Sequence, residues 1–168
     1  RSDHKHCQGF IRDCKTALIN DNFATKTRTY TSCIDLDSFV DFFIINEITG
    51  NIDGYRLSTY MHKQRGGKLK MGPIWDLNIG YAKQGRVPVT DWIANYNVHI
   101  SQDAWMVPFW WPRLLEDPIF KQALKSRWTT LRANTFSNAS VLGRVTQTAN
   151  YLKDNGTIDR NYNKWTGT

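Results

Sequence analysis

The sequence predicts an α+β fold that is mostly helical, with one β-hairpin that carries the candidate site. Apolar residues recur at helical spacing over residues 39–48, 119–131 and 141–152. Residues 55–74 instead alternate on either side of a glycine pair, which is typical of a hairpin. The chain has 168 residues, 40% of them hydrophobic, which suits a single domain with one packed core.

Residues 1–31 are weakly patterned. We expect residues 1–34 to form a separate N-terminal segment that packs on the main domain, residues 35–168. Apolar residues at helical spacing predict a short helix over residues 8–19, which Asn20 would end. Residues 25–31 are polar and typical of a linker.

All three cysteines, Cys7, Cys14 and Cys33, fall in this segment. Cys7 and Cys14 are two helical turns apart and form no CxxC motif, so we do not expect a zinc site. An odd count leaves at least one thiol free or paired outside this sequence. A disulfide involving Cys33 is compatible with an exported protein, although three thiols do not define the compartment.

A strong helix is predicted next. Asp35 or Asp37 would cap its start, and Gly50 would end it. Apolar residues occupy nearly all of its faces: Phe39, Val40, Phe42, Phe43, Ile44, Ile45 and Ile48. We therefore expect a buried helix. Its last turn carries Glu47, which we interpret as a structural partner, for example of Arg56, rather than as a catalytic acid.

The hairpin is predicted from strands at residues 55–62 and 68–74, joined by a turn at 64–67. Pairing His62 with Lys68 would place Asp53 beside Asp76, about 5–10 Å apart. Two carboxylates at that spacing can hold a cation, or act as a base beside a metal. The same Asp-Gly chemistry is also ordinary in turns.

After the hairpin, residues 82–102 are predicted to be a loop. The aromatic run at 105–112 suits sugar stacking, but beside a helix start it favours core packing. Two amphipathic helices then close the chain. Asp117 would cap the first of these helices. The second would bury a stripe of small and branched side chains: Val141, Leu142, Val145, Ala149 and Leu152.

Several motifs follow one another along the chain, each occurring once. They are Asn-x-Asp-Gly-Tyr-Arg at 51–56, Gly-Pro-Ile-Trp-Asp-x-Asn at 72–78, Val-Pro-Phe-Trp-Trp-x-Arg-Leu-Leu-Glu-Asp-Pro at 107–118, Arg-Trp-x-x-Leu-Arg at 127–132 and Arg-Asn-Tyr-x-x-Trp at 160–165. This ordered series resembles the CotH kinase family, the spore-coat-protein-H-like proteins. The resemblance covers most of the chain, from about residue 35 to residue 165.

The resemblance implies a kinase-like C-terminal lobe that transfers phosphate from ATP to a protein. By this resemblance Asp53 is catalytic, Asp76 and Asn78 bind Mg²⁺ or Mn²⁺, and Arg56 and Ser58 contact the nucleotide. Many family members have Asp where Asn78 stands, and protein kinases have Asn where Ser58 stands. Both departures predict weaker metal binding.

Neither a glycine-rich phosphate loop nor a strand lysine precedes residue 35. We therefore expect a fragment of a longer protein, with little activity by itself. Separately, we expect the parent protein to be exported or located at the cell surface. A net charge of +7 favours a nucleotide and an acidic protein as partners, without the concentrated basic cluster of a specific nucleic-acid site. No transmembrane segment is evident. The competing interpretation is a non-catalytic surface binding or adhesion module that keeps a kinase-like fold.

Overall fold

The computed structural model describes residues 2–20, 30–81 and 85–166, with side chains from residue 8 onward. The chain forms two compact units, residues 1–125 and 126–168. Within the described residues, helices predominate and are accompanied by one small antiparallel sheet, in agreement with the predicted α+β class.

The elements follow one another as α1 (Ser2–Ile19), α2 (Tyr30–Cys33), α3 (Leu36–Thr49), β1 (Met61–His62), β2 (Lys70–Met71), a 3₁₀ turn (Ile93–Asn95), α4 (Tyr96–His99), α5 (Trp110–Glu116), α6 (Pro118–Ala133), α7 (Asn138–Asp154) and α8 (Thr157–Trp165). The predicted first helix is confirmed and begins earlier than expected. Residues 93–99, predicted to be loop, are helical. Tyr30 and Thr31 of the predicted linker belong to α2, and residues 25–29 lie outside the described residues.

Helix α3 has the caps that its sequence predicts. The Asp35 carboxylate accepts a hydrogen bond from the Ser38 N–H at 3.0 Å. Gly50 ends the helix with φ +60°, a left-handed conformation that glycine adopts without steric cost, and its N–H bonds back to the last turn. Ile48 is an exception to the predicted burial, since it is 40% exposed.

The core of the first unit is an aromatic cluster between α3 and α5. Trp111, which is fully buried, stacks on Phe42 with ring centroids 5.8 Å apart. Tyr55 meets the same indole edge-on at 4.9 Å, and Phe43 lies 6.1 Å from it. The prediction of core packing for residues 105–112 holds for Trp111 but not for Trp105, which is 62% exposed.

The hairpin is shorter than predicted, and its register differs by two residues. His62 pairs with Lys70, not Lys68, and Met61 pairs with Met71. The Gly67 N–H bonds to the Gln64 carbonyl at 3.0 Å, so the predicted turn is present. The strands pair for only two residues on each side, with one further hydrogen bond from the Gly72 N–H to the Tyr60 carbonyl.

Residues 52–58 form a helical turn, so the strand predicted at 55–62 does not begin at residue 55. The Asp53 carbonyl accepts hydrogen bonds from the N–H groups of Arg56, Leu57 and Ser58, at 3.2, 2.9 and 2.8 Å. This coiling buries Tyr55 completely in the aromatic cluster. The apparent alternation therefore reflects one buried aromatic residue rather than the two faces of a strand.

The hairpin and the chain after it contact both ends of α3. At the start of the helix, the Asp35 N–H bonds to the Leu69 carbonyl and the Leu69 N–H to the Cys33 carbonyl, both at 2.8 Å. At the end of the helix, the Tyr81 N–H bonds to the Thr49 carbonyl. Residues 72–81 therefore run from one end of α3 to the other.

The N-terminal helix packs on α2 and α5. Cys14 and Leu18 are buried in this contact. Arg113 of α5 donates to the carbonyls of Leu18 and Asn20, at 3.1 and 3.0 Å. These bonds cap the end of α1, where helix carbonyls lack partners.

Helices α7 and α8 form most of the second unit. Ser137 caps α7 by accepting the Ser140 N–H at 3.2 Å. The predicted burial of its apolar stripe is wrong, because Leu142 is 64% exposed and Val145 61%. Within this unit α7 packs mainly against α8, and one neighbouring helix covers too little of its surface.

The described helices include none that is long and apolar enough to cross a membrane.

Candidate functional site

The loop that carries Asp53 is built on buried amides. Asn46, on the last turn of α3, donates to the Phe42 carbonyl at 2.8 Å and accepts from the Asn51 side chain at 3.0 Å. Both asparagines are about 1% exposed. A Cβ at Gly54 would lie 1.9 Å from the Asn46 amide oxygen. The close approach explains why the Asp-Gly pair sits here, since only glycine fits against the amides.

Asp53 is held by Arg56. An Arg56 Nη2–H donates to Asp53 Oδ1 at 2.8 Å, and the Arg56 Nε–H donates to the Ile52 carbonyl at 3.1 Å. The arginine side chain is only 3% exposed, whereas that of Asp53 is 22% exposed. One side of the carboxylate is thus fixed while part of it still faces solvent.

A second acid completes the arginine's environment, and the sequence reasoning did not identify it. Arg56 Nη1 donates to Asp103 at 3.1 Å and to the Trp105 carbonyl at 2.9 Å. The guanidinium also lies 4.4 Å above the centre of the Tyr96 ring. Asp103 lies in no recognisable motif. It joins the network only through its contact with Arg56, which is 47 residues away in the sequence.

Asp103 is held as an anion by hydrogen bonds. The Tyr96 hydroxyl donates to it at 2.6 Å and the Trp105 N–H at 2.9 Å. These donors, together with the nearby Arg56 charge, lower the pKa of Asp103. Burial and the bond to this carboxylate in turn raise the pKa of Tyr96. The arginine is therefore flanked by two carboxylates, Asp53 and Asp103.

Glu47 is a structural residue, as predicted, but its partner is not Arg56. Its carboxylate accepts the N–H groups of Ile93 and Ala94, at 2.7 and 3.0 Å, and the Tyr55 hydroxyl at 2.8 Å. It thereby caps the 3₁₀ turn with a side chain from α3. Burial raises the pKa of Glu47, although these three donors oppose the shift.

Asp76 and Asn78 lie on the connection between β2 and the end of α3, and both are exposed. Asp76 has φ +60°, which is uncommon for a residue with a Cβ. Among the described residues, no hydrogen bond or ion pair engages its carboxylate. The strand register that predicted the proximity of Asp76 to Asp53 is not observed. The two acids are related only because residues 72–81 return to the end of α3, which the Asp53 loop follows.

Ser58 is buried in the turn that follows Asp53. Its N–H donates to the Asp53 carbonyl at 2.8 Å. Ser58 therefore supports the backbone of the Asp53 loop, and Arg56 supports its carboxylate.

A cleft of about 190 Å³ opens beside this loop, between the end of α3 and residues 85–93. Its lining includes Ile52, Ile79, Arg86 and Asp91. Asp91 is bonded to His99 at 2.6 Å, which lowers the pKa of the carboxyl. The cleft thus combines an apolar floor with charged groups at its rim.

A metal ion held by protein alone is not indicated in the described part of the chain, where no three His, Cys, Asp or Glu side chains are grouped to hold one. Asp76 and Asn78 offer two exposed oxygen ligands. Mg²⁺ commonly takes one or two protein oxygens and completes its shell with water and phosphate. The two residues fit an ion that is carried by a nucleotide.

Comparison with protein families matches the whole chain, residues 1–168, to the family described as CotH kinase protein. The chain belongs to the CotH kinase family. No curated protein and no solved structure matches it. The CotH match includes the first 34 residues, which the motif series did not reach, and it supports a kinase-like domain.

Proposed function

We propose that this CotH domain transfers phosphate from ATP to a hydroxyl group of a protein. The observation that carries the proposal is the fixed geometry of Asp53, whose carboxylate is bonded to a buried Arg56 at 2.8 Å and remains partly exposed. In kinases, an aspartate in this role accepts a hydrogen bond from the substrate hydroxyl and orients it for attack. A carboxylate with one fixed side and one accessible side suits that task.

Asp76 and Asn78 would hold Mg²⁺ or Mn²⁺ on the nucleotide phosphates. The bound cation would neutralise charge on the transferred phosphate. The exposure of both side chains supports this assignment. The left-handed backbone at Asp76 supports it further, because such conformations are concentrated at functional sites.

Arg56 and Ser58 are assigned to the support of Asp53 rather than to the nucleotide. Arg56 makes four N–H hydrogen bonds to protein groups, of the five that its guanidinium can donate. The cleft beside Ile52 is the candidate place for the nucleotide. Arg86 on its rim carries the sign of charge that phosphate requires.

The test is phosphotransfer with ATP labelled on its γ-phosphate, in Mg²⁺ or Mn²⁺, using dephosphorylated casein as the hydroxyl-bearing protein. A low but detectable amount of label should enter casein or the chain itself with wild type, since we expect little activity from this chain by itself, and none should enter with Asp53→Asn or Asp76→Asn. Asp154→Asn, an exposed acid at the end of α7, is the matched control and should behave as wild type.

Calorimetry separates the catalytic role proposed for Asp53 from the metal-binding role proposed for Asp76. Asp53→Asn should bind ATP with Mg²⁺ as tightly as wild type, whereas Asp76→Asn should bind it more weakly. Absence of ATP binding with either metal, or full activity in Asp76→Asn, would overturn the proposal.

A second candidate function is a non-catalytic binding module. It is favoured by aromatic side chains that face solvent: Tyr60 (47% exposed), Trp75 (57%) and Trp105 (62%). Tyr60 and Trp75 meet edge to face with centroids 6.4 Å apart. Under this alternative no labelled product forms with any metal, and Trp75→Ala reduces binding to a partner surface while Asp53→Asn does not.

A further inference from the structure

We propose that Cys14 and Cys33 form a disulfide that ties α1 to α2. Cys14 faces inward from α1 and is 5% exposed, while Cys33 is the last residue of α2 and is half-buried. The two helices pack together, and the Cys33 thiol lies near enough to that of Cys14 to contribute, after burial, to raising its pKa. A disulfide joins cysteines whose Cα atoms are about 4.4–6.8 Å apart, a separation found between residues of helices in contact.

Helix geometry excludes a bridge between Cys14 and the remaining cysteine, Cys7. Cys7 and Cys14 lie on the same helix, seven residues apart. A helix rises about 1.5 Å per residue, which separates their Cα atoms by about 10 Å. A disulfide spans Cα atoms up to about 7 Å apart. Cys14 is therefore expected to pair with Cys33 and not with Cys7.

The reaction is thiol–disulfide exchange with a dissolved disulfide such as oxidised glutathione. The Cys33 thiolate attacks one sulfur of the oxidant, forms a mixed disulfide and releases one thiolate. Cys14 then loses its proton and attacks the Cys33 sulfur, which forms the internal bond and expels the second thiolate. Two protein thiols are oxidised, and the oxidant is reduced to two thiols.

The environments of the two thiols assign this order. Burial, together with the nearby Cys33 thiol, raises the pKa of the Cys14 thiol, so Cys14 is a poor first attacker. Cys33 is the more accessible of the pair. Once the mixed disulfide has formed, proximity makes Cys14 the resolving thiol.

The disulfide would also connect α1 to the hairpin, because Cys33 is hydrogen-bonded to the hairpin through its backbone. The Cys33 carbonyl accepts the Leu69 N–H at 2.8 Å, directly before β2. A link from Cys14 to Cys33 would join α1 to the bridge that fixes the hairpin at the start of α3. We therefore expect oxidation to stabilise the first unit.

The experiment uses the 168-residue chain, incubated with oxidised glutathione, blocked with iodoacetamide without reduction and digested with trypsin. Trypsin places the three cysteines in separate peptides, residues 6–12, 13–15 and 29–56. The expected product is peptide 13–15 linked to peptide 29–56, with Cys7 alkylated or carrying glutathione. Oxidation should raise the melting temperature by roughly 5–10 °C in wild type and in Cys7→Ser.

Cys33→Ser is the matched negative variant, and its melting temperature should not respond to oxidant. A linked peptide that contains Cys7, or complete alkylation of all three thiols after incubation of folded protein, would overturn the proposal. So would an equal shift in Cys33→Ser. If that variant fails to fold, the peptide map of wild type decides the question by itself.

Discussion

Arg56 and Asp53 form an ion pair across one helical turn, with Nη2 and Oδ1 2.8 Å apart. The other side of the same guanidinium pairs with Asp103 at 3.1 Å, which lies 47 residues farther along the chain. Two loops remote in sequence thus share one buried cation. The orientation of Asp53 depends on both of them.

Arg56→Lys should therefore reduce phosphotransfer while leaving the fold intact. Lysine keeps the charge, but it lacks the planar fork that reaches Asp53, Asp103 and the Trp105 carbonyl together. We expect kcat to fall by about tenfold to a hundredfold, with little change in KM for ATP. Steady-state kinetics measures the split. A rise in KM alone would indicate instead that Arg56 contacts the nucleotide.

Gly54→Ala should destabilise the Asp53 loop. The new Cβ would lie 1.9 Å from the Asn46 amide oxygen and 3.0 Å from the Asn51 nitrogen, so the buried amide pair must separate. Leaving buried amides unpaired costs about 1–3 kcal/mol. Urea denaturation measures the loss.

Gly9→Ala is the control for this substitution. Gly9 lies inside α1, and its added Cβ would meet no atom within 4 Å. Alanine favours a helix interior over glycine by about 1 kcal/mol, so this variant should be more stable than wild type. Equal destabilisation by both variants would contradict the close-approach argument.

Glu47→Gln should loosen the 3₁₀ turn, because an amide cannot accept the Ile93, Ala94 and Tyr55 donors together. We expect a loss of about 1 kcal/mol or more in the free energy of unfolding at pH 7. The pKa of Glu47 is raised in the fold above its ordinary 4.5, so the folded state holds this proton more tightly. Its contribution to stability is greatest below about pH 4.5 and declines as pH rises through the folded pKa. Unfolding measured against pH should show the wild-type advantage shrinking in that direction.

Asp35→Ala should remove the N-cap of α3 and lower the free energy of unfolding by about 1 kcal/mol. The Ser38 N–H lowers the pKa of Asp35 below its ordinary 3.8. The charged cap therefore stabilises the fold above about pH 3.8, and this stabilisation is lost as pH falls through the lower, folded pKa. Asp37→Ala, at an exposed residue in the first turn, should cost less. An equal cost for both would show that the helix dipole, not the cap, is responsible.

The sequence predicts the parts of this fold that local chemistry determines. Asp35 and Gly50 bound α3 because capping and left-handed geometry depend on single residue types. Residues 52–58 are different, since alternating side chains are compatible with both a strand and a turn. Burial of Tyr55 against Trp111 decides between them, and that contact depends on a helix more than 50 residues later.

Sequence motifs point to only part of the candidate site, because motifs contain local information and no tertiary contacts. Asp53 and Asp76 stand out by motif, while Asp103 and Tyr96 enter only through tertiary contacts to Arg56. The hairpin register was predicted wrongly from the local pattern, which contains no information on tertiary contacts such as the bridge between Leu69 and Ile34. The exposed stripe on α7 shows the limit of periodicity, which identifies an apolar face but not what covers it.

The connection that carries Asp76 has length to spare. It is anchored at one end by the Met71 N–H, which donates to the Ser38 hydroxyl at 3.2 Å, and at the other by the Tyr81 N–H, which donates to the Thr49 carbonyl. Between Ser38 and Thr49, α3 rises about 17 Å, whereas the chain from Met71 to Tyr81 can extend to about 33 Å. Removing one or two residues from this connection would therefore leave both anchoring points in place. Such deletions would shorten the distance by which Asp76 and Asn78 can extend from α3 into solvent. They would thereby change the spacing of the proposed metal ligands at little cost to the stability of the helix.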